Sequence, residues 1–236
     1  MKITVIGSGS TGNCYYVETS NGAFILDAGI KLTNLVGVVD FNKVDFCFIS
    51  HQHKDHSQFA NKIKMFGIEV INTYSDEMIV NNFNGAKSNN HYRIYRFPIQ
   101  HGEEPNNGII VEDLDTKEKL IYLTDFNMCK YDFKQIAIDH VMIECNYLES
   151  KVLDTTDFVE LRRINTHMGL EGCISYLEKA FNIEAIKDIY LCHMSQKNGN
   201  SGWMGIVVRD KFNKPTYVCR QNGGVDYYEW NSSKQW

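Results

Sequence analysis

Six consecutive residues, His51-Gln52-His53-Lys54-Asp55-His56, constrain this chain more than any other feature. They follow directly on Val44-Asp45-Phe46-Cys47-Phe48-Ile49, an apolar run that predicts a buried strand. Side chains two apart at a strand end project to the same side, so His51 and His53 can grip one cation. Asp55 and His56 come from the following turn, or the first turn of a helix, and can face a second cation alongside. Neutral imidazole and carboxylate are the ligands that a borderline divalent metal takes up.

Three later segments repeat one arrangement, an apolar strand followed by a ligand-type residue. They are Phe97-Pro98-Ile99-Gln100-His101, Leu120-Ile121-Tyr122-Leu123-Thr124-Asp125 and Ile189-Tyr190-Leu191-Cys192-His193. A lone histidine after a strand is ordinarily a hydrogen-bonded structural residue. Three such ends in a chain that also carries the histidine loop read together as one site. Cys192 leaves the strand on the opposite side from His193 and reads as core. His91 and His140 have no partner pattern and read as structural.

The chain has 236 residues, 43% of them hydrophobic, enough for one substantial core. No Pro-, Ser- or charge-rich linker interrupts it, so residues 1–236 are expected to form a single domain. No apolar run is long enough to span a bilayer and the first residues lack a signal-peptide pattern, which predicts a cytoplasmic protein with no membrane partner. The seven cysteines are spread singly, mostly within apolar runs, in keeping with a reducing compartment. A net charge of −5 argues against a broad basic face for duplex DNA. It leaves nucleotide chemistry open, because two divalent metals would make the site itself locally positive.

Strands are predicted at 3–6, 14–18, 23–27, 44–49, 68–72, 92–99, 140–144 and 186–191. A hairpin pairs 108–112 with 119–123 around a polar turn. Helices are predicted at 57–66, closed by Gly67, and at 75–83, ahead of a polar surface loop at 84–90. The stretch 157–181 is helix-rich and broken near 165–169. After Trp203 a strand-rich tail, 203–236, carries strands at 215–220 and 225–230. The fold class is α/β (α+β): sheets covered by helices, with a site of loops at one edge. Spacing alone leaves the topology open.

Longer stretches then become specific: Gly7-Ser8-Gly9-Ser10-Thr11-Gly12-Asn13, Leu26-Asp27-Ala28-Gly29, Ile49-Ser50 leading into the histidine loop, and His101-Gly102-Glu103-Glu104-Pro105. They continue with Tyr122-Leu123-Thr124-Asp125, Arg162-Arg163, Asn165-Thr166-His167-Met168 and Tyr190-Leu191-Cys192-His193-Met194-Ser195-Gln196-Lys197-Asn198. In this order they resemble the metallo-β-lactamase-fold hydrolases, and among them the YycJ/WalJ-type exonuclease-like group, relatives of ribonuclease Z. The resemblance covers residues 1–200 and leaves the tail uncovered. It implies a four-layer αβ/βα sandwich and two divalent metal ions, Zn²⁺ or Mn²⁺. His51, His53 and His101 would hold the first ion, Asp55, His56 and His193 the second, and Asp125 would bridge both. The chain departs from the family pattern at Gly102, where relatives usually carry aspartate, around His167, and at Gly199 after Asn198.

The activity implied is hydrolysis of phosphodiesters, since two cations about 3.5–4 Å apart clamp an in-line displacement and deprotonate a shared water near neutral pH. Asp55 could orient or deprotonate that water, and His167 could give a proton to the leaving oxygen or hold the phosphate. Arg162, Arg163 and Asn198 are candidate phosphate contacts. The glycine-rich turn 7–13 reads as a floor beneath the metals rather than a phosphate loop. A nuclease acting on DNA or RNA ends is the favoured reading, and a phosphodiesterase for a small or cyclic nucleotide is the alternative. A metal-stabilised binding protein on the same scaffold is a third. The partner is a nucleic acid end or a nucleotide, and a homo-oligomer is compatible with the sequence. β-Lactam or thioester hydrolysis fits less well.

Overall fold

The computed structural model describes residues 1–72, 87–88, 91–152 and 156–228. Five strands, β1 (Lys2–Gly7), β2 (Cys14–Glu18), β3 (Ala23–Leu26), β4 (Val44–Phe48) and β5 (Glu69–Ile71), form one sheet in that order. The first three are antiparallel, and β3, β4 and β5 run parallel. Period-two alternation divides their side chains between two faces. Tyr15, Val17, Phe24, Leu26, Phe46 and Phe48 point into the molecule, while Tyr16, Ile25 and Cys47 point outward.

The second sheet has eight strands in sequence order: β6 (Lys87–Ser88), β7 (Tyr92–His101), β8 (Glu104–Asp113), β9 (Lys119–Leu123), β10 (His140–Glu144), β11 (Asp188–Cys192), β12 (Thr216–Cys219) and β13 (Val225–Tyr228). Strands β9 to β12 are parallel and buried on both faces, which is why they read as near-continuous apolar runs. Tyr122, Met142, Tyr190 and Cys192 pack against the first sheet. Leu123, Ile143 and Leu191 face the other way, onto Leu170, Cys173 and Leu177 of α4 (Leu170–Ala180) and Met204 and Val208 of α5 (Ser201–Phe212). On the outer face of the first sheet, Ile63 of α2 (Ala60–Lys64) joins Leu35 and Val39 over Ile25 and Cys47. The result is four layers, helix, sheet, sheet and helix, as the resemblance implied. The carboxyl ends of β3, β4, β7, β9, β10 and β11 all come to one edge, where open α/β sheets place their sites.

Several expectations are corrected. The helix expected at 57–66 is two short pieces, α1 (Lys54–Ser57) and α2, because the Phe59 amide donates to the Ala28 carbonyl at 2.9 Å instead of continuing the helix. β8 begins at Glu104 and carries Pro105, which β9 tolerates because its pairing reaches only Ile109. The tail after Trp203 is not simply strand-rich: α5 runs through it, capped by the Asn200 side chain accepting from the Trp203 amide at 3.1 Å. The strands β12 and β13 then extend the second sheet. The helix expected at 75–83 lies outside the described residues. All seven cysteines are free, six of them buried. Among the described residues no helix is long and apolar enough to cross a membrane.

Gly29 is where the fold meets the site. Its amide donates to the Asn13 carbonyl at 2.9 Å, and a Cβ there would overlap the Asp55 carbonyl. Gly29→Ala must therefore push the histidine loop away from the glycine-rich turn. The expected cost is about 1–3 kcal/mol or more of stability, read as a lower urea midpoint at unchanged m-value.

Candidate metal centre

Asp27, Asp125 and His193 each follow a strand, and each turns the chain with φ of 59°, 50° and 51°. Non-glycine residues pay to adopt this left-handed conformation. Here the turn directs side chains at the common edge instead of along the strands. His51 and His53 leave β4, Asp55 and His56 sit on α1, and His101 ends β7.

The seven side chains singled out as ligands converge in two clusters that share Asp125. In the first, His53 Nδ1 lies 3.0 Å from His51 Nε2 and 3.4 Å from His101 Nε2, and Asp125 Oδ2 is 3.8 Å from His51 Nε2. In the second, His56 Nε2 is 3.3 Å from both Asp55 Oδ2 and Asp125 Oδ1, and His193 Nε2 is 3.4 Å from Asp55 Oδ2. Most of these groups are buried. His53 and Asp55 are the partly exposed ones and, with the neighbouring His167, mark the mouth.

Hydrogen bonds behind the clusters fix which nitrogen faces inward. His101 Nδ1 donates to the Thr166 carbonyl at 2.9 Å, and a carbonyl can only accept, so in the neutral ring Nε2 carries the lone pair. His56 Nδ1 is likewise held by Asp27 Oδ2 at 2.6 Å. His51 Nδ1 lies 3.0 Å from Ser50 Oγ. Lone pairs and carboxylate oxygens are thus aimed at one another across 3–4 Å, an arrangement that is repulsive unless a proton or a metal ion lies between them. The donor set, imidazole and carboxylate, is that of a borderline divalent ion.

The electrostatics agree. Burial, then the nearby His56 charge, pushes His51 down to about 2, so its ring stays neutral. Burial would lower His193 too, but Asp125, with Asp55 and Glu144, outweighs it and pushes the imidazole up to about 10. Burial would raise Asp125, yet His193 and His56 hold it well below the usual carboxylate range. The carboxylates draw positive charge into the second cluster.

His167 belongs to this edge. Its Nδ1 is 2.6 Å from Glu144 Oε1, and its ring stacks on His193 with centroids 5.2 Å apart. Glu144 has no exposed surface and also accepts from the Phe126 amide at 2.8 Å and the Met168 amide at 3.3 Å. The sequence pattern by itself points to no role for Glu144, Asp27, Asn13 or Asn146. The first two carry the strand-then-carboxylate signature that identified Asp125. The candidate phosphate contacts are placed differently from expectation. Arg163 and Asn198 both donate to Glu160, which also takes Lys197 Nζ at 2.9 Å, and Arg162 is exposed on α3 (Phe158–Thr166). A buried carboxylate satisfied by those donors leaves them turned onto it and not toward the clusters. His91 pairs with Asp45 and His140 with Asp188, apart from both clusters.

Asp27→Asn would present an N–H to His56 Nδ1 and force the other tautomer, with Nε2 protonated against Asp55. Cation affinity at the second cluster is expected to fall about 10- to 100-fold, measured by chelator competition on protein whose melt confirms folding.

No family model matches the chain. Over 60 residues it is 37% identical to the exodeoxyribonuclease WalJ of Streptococcus pneumoniae, a stretch that is 23% of this chain and about a fifth (22%) of that relative's length. In three dimensions it is similar to the metallo-β-lactamase fold protein YhfI of Bacillus subtilis, with TM-score 0.70 at 16% identity over 96% of this chain and 98% of that one. It is also similar to human tRNase Z, short form, with TM-score 0.64 at 12% identity over 94% and 97% of the two chains. The fold of this chain is the metallo-β-lactamase fold.

Proposed function

We propose that this chain is a metal-dependent hydrolase of phosphodiester bonds, acting as a nuclease on DNA or RNA ends. The observation that carries the reading is the convergence of all seven candidate ligands into two clusters sharing Asp125, with the Glu144–His167 pair beside them. His51, His53 and His101 would hold one divalent ion, Asp55, His56 and His193 a second, and Asp125 both. Bound there, a cation pair supplies a water acidified toward neutral pH and a clamp for phosphoryl oxygens.

The remaining work falls to the chain's own groups. Asp55 stands at the mouth with a quarter of its side chain exposed (24%), where one carboxylate oxygen can orient the attacking water. His167, 16% exposed, has Nδ1 committed to Glu144, which leaves Nε2 as the atom that faces away from that bond. Glu144 fixes the ring through Nδ1, so Nε2 is the atom from which His167 can hand a proton to the leaving oxygen. The likeness to an exodeoxyribonuclease and to a tRNA-processing enzyme supports a nucleic acid substrate, and a net charge of −5 favours a single strand or an end over a long duplex.

Chelation is expected to abolish hydrolysis of bis-p-nitrophenyl phosphate and of labelled single strands, and Mn²⁺ or Zn²⁺ to restore it. His53→Ala should lose turnover while remaining folded, whereas His167→Ala and Glu144→Gln should each lower kcat by about 10²–10⁴ with cation content unchanged. Hydrolysis confined to cyclic mononucleotides would replace the nuclease reading, and a folded, metal-loaded protein inert on every substrate would end it.

A further inference from the structure

We propose that Asn13 is a positioning residue that competes with the second cation for His56. The inference rests on the two-cation reading above. Asn13 has no exposed surface and ends the glycine-rich turn. Its Oδ1 accepts from the Gly9 amide at 2.8 Å, and a backbone N–H can only donate, so the orientation of the side-chain amide is fixed. Nδ2 is then 3.0 Å from His56 Nε2, 3.1 Å from the Gly9 carbonyl and 3.3 Å from the Asp55 carbonyl.

His56 Nδ1 is committed to Asp27, so in the neutral, cation-binding form of the ring the single lone pair is on Nε2. That lone pair accepts the Asn13 N–H. It is also the only atom through which His56 can join Asp55, Asp125 and His193 around a cation. One lone pair cannot serve both. In the cation-free site the Asn13 amide favours the Nδ1-protonated tautomer of His56 and keeps the ring aimed inward. When the second ion binds, the N–H gives up Nε2 and retains the two carbonyls. Among the described residues the first cluster has no such competitor: its inward nitrogens face one another and Asp125. Asn13 therefore weakens the second site selectively while preorganising it. The backbone bond from the Asn13 amide to the Asp55 carbonyl, 2.7 Å, does not depend on the side chain, so substitutions leave the loop junction in place.

The test is stepwise Co²⁺ titration of metal-free, full-length protein, followed by d–d absorption. Wild type should bind two equivalents. Asn13→Ala removes the competing N–H and should tighten the second step roughly three- to tenfold, the equivalent of one hydrogen bond, leaving the first within about twofold. Asn13→Asp, which also lacks the N–H, should tighten it at least as much. An unchanged or weakened second step in Asn13→Ala overturns the inference even if Asn13→Asp tightens, since added charge alone would explain the latter. Should Asn13→Ala fail to fold, the wild-type Asn13 side-chain amide resonances decide during a Zn²⁺ titration. They must move with the second equivalent and not the first, and resonances indifferent to the second overturn the proposal. A single equivalent bound by folded wild type removes the two-cation reading itself, a result distinct from two equivalents with unaltered steps.

Discussion

Asp27 is the point on which the two sheets and the site all depend. It follows β3 in the left-handed conformation and has no exposed surface. A bare carboxylate at such depth would cost several kcal/mol. Four donors offset that cost: the Ser50 amide at 2.8 Å and hydroxyl at 3.1 Å, His56 Nδ1 at 2.6 Å, and the Tyr122 hydroxyl at 2.7 Å. Ser50 and His56 belong to the first sheet's edge, whereas Tyr122 comes from β9 of the second. The same carboxylate therefore ties the sheets together and sets the tautomer of a candidate ligand. Stability and site geometry are not separable here, because the bond that orients His56 is one of those that satisfy a buried charge.

The seam between the sheets is bolted at further points. Ser8 Oγ, after β1, accepts from the His193 amide at 2.9 Å and lies 2.7 Å from the Tyr15 hydroxyl. Asn106 of β8 donates to the carbonyls of Thr124 and Asp125, holding the turn that presents the shared carboxylate. The Asn107 amide donates to the Ser50 carbonyl at 3.2 Å. Each cluster thus draws groups from both sheets, and the aromatic core between them, including Tyr15 against Tyr122 at 5.4 Å between centroids, fixes the spacing of the two halves. A sandwich that slipped by one residue would reverse every strand face and pull the clusters apart.

Much of this was legible because parallel strands buried on both faces end abruptly in polar residues. That contrast exposed His101, Asp125 and His193, and the histidine loop gave the rest. The same contrast exists at Leu26-Asp27 and Ile143-Glu144, where residue type alone marks only the end of a strand. A strand-end carboxylate that binds a histidine looks, in sequence, like one that binds solvent. Helix α5 was hidden for a different reason. Gly202, Gly205 and the run Ile206-Val207-Val208 suit strands and turns by propensity, and packing of Met204 and Val208 on the second sheet overrides that preference. Arg163 and Asn198 illustrate the limit of residue type as a guide. Both are apt for phosphate, but Glu160 sits one helical turn from Arg163 and claims both.

The two donor sets are unequal in a way that bears on which ions suit them. The first offers three imidazole nitrogens and one carboxylate; the second offers two of each, and Glu144 stands 3.3 Å from His193 Nδ1. Nitrogen-rich sets favour zinc-like ions, whereas carboxylates are better matched to harder ions such as Mn²⁺. The second set also carries more formal negative charge, which is why His193 is driven toward its cationic form while His51 is kept neutral. Asp125, common to both, transmits the difference: charge placed in one cluster alters what the other needs. A centre built this way is tuned by its backing residues as much as by its ligands, since Asp27, Ser50, Thr166 and Glu144 hold the outward nitrogens of His56, His51, His101 and His193.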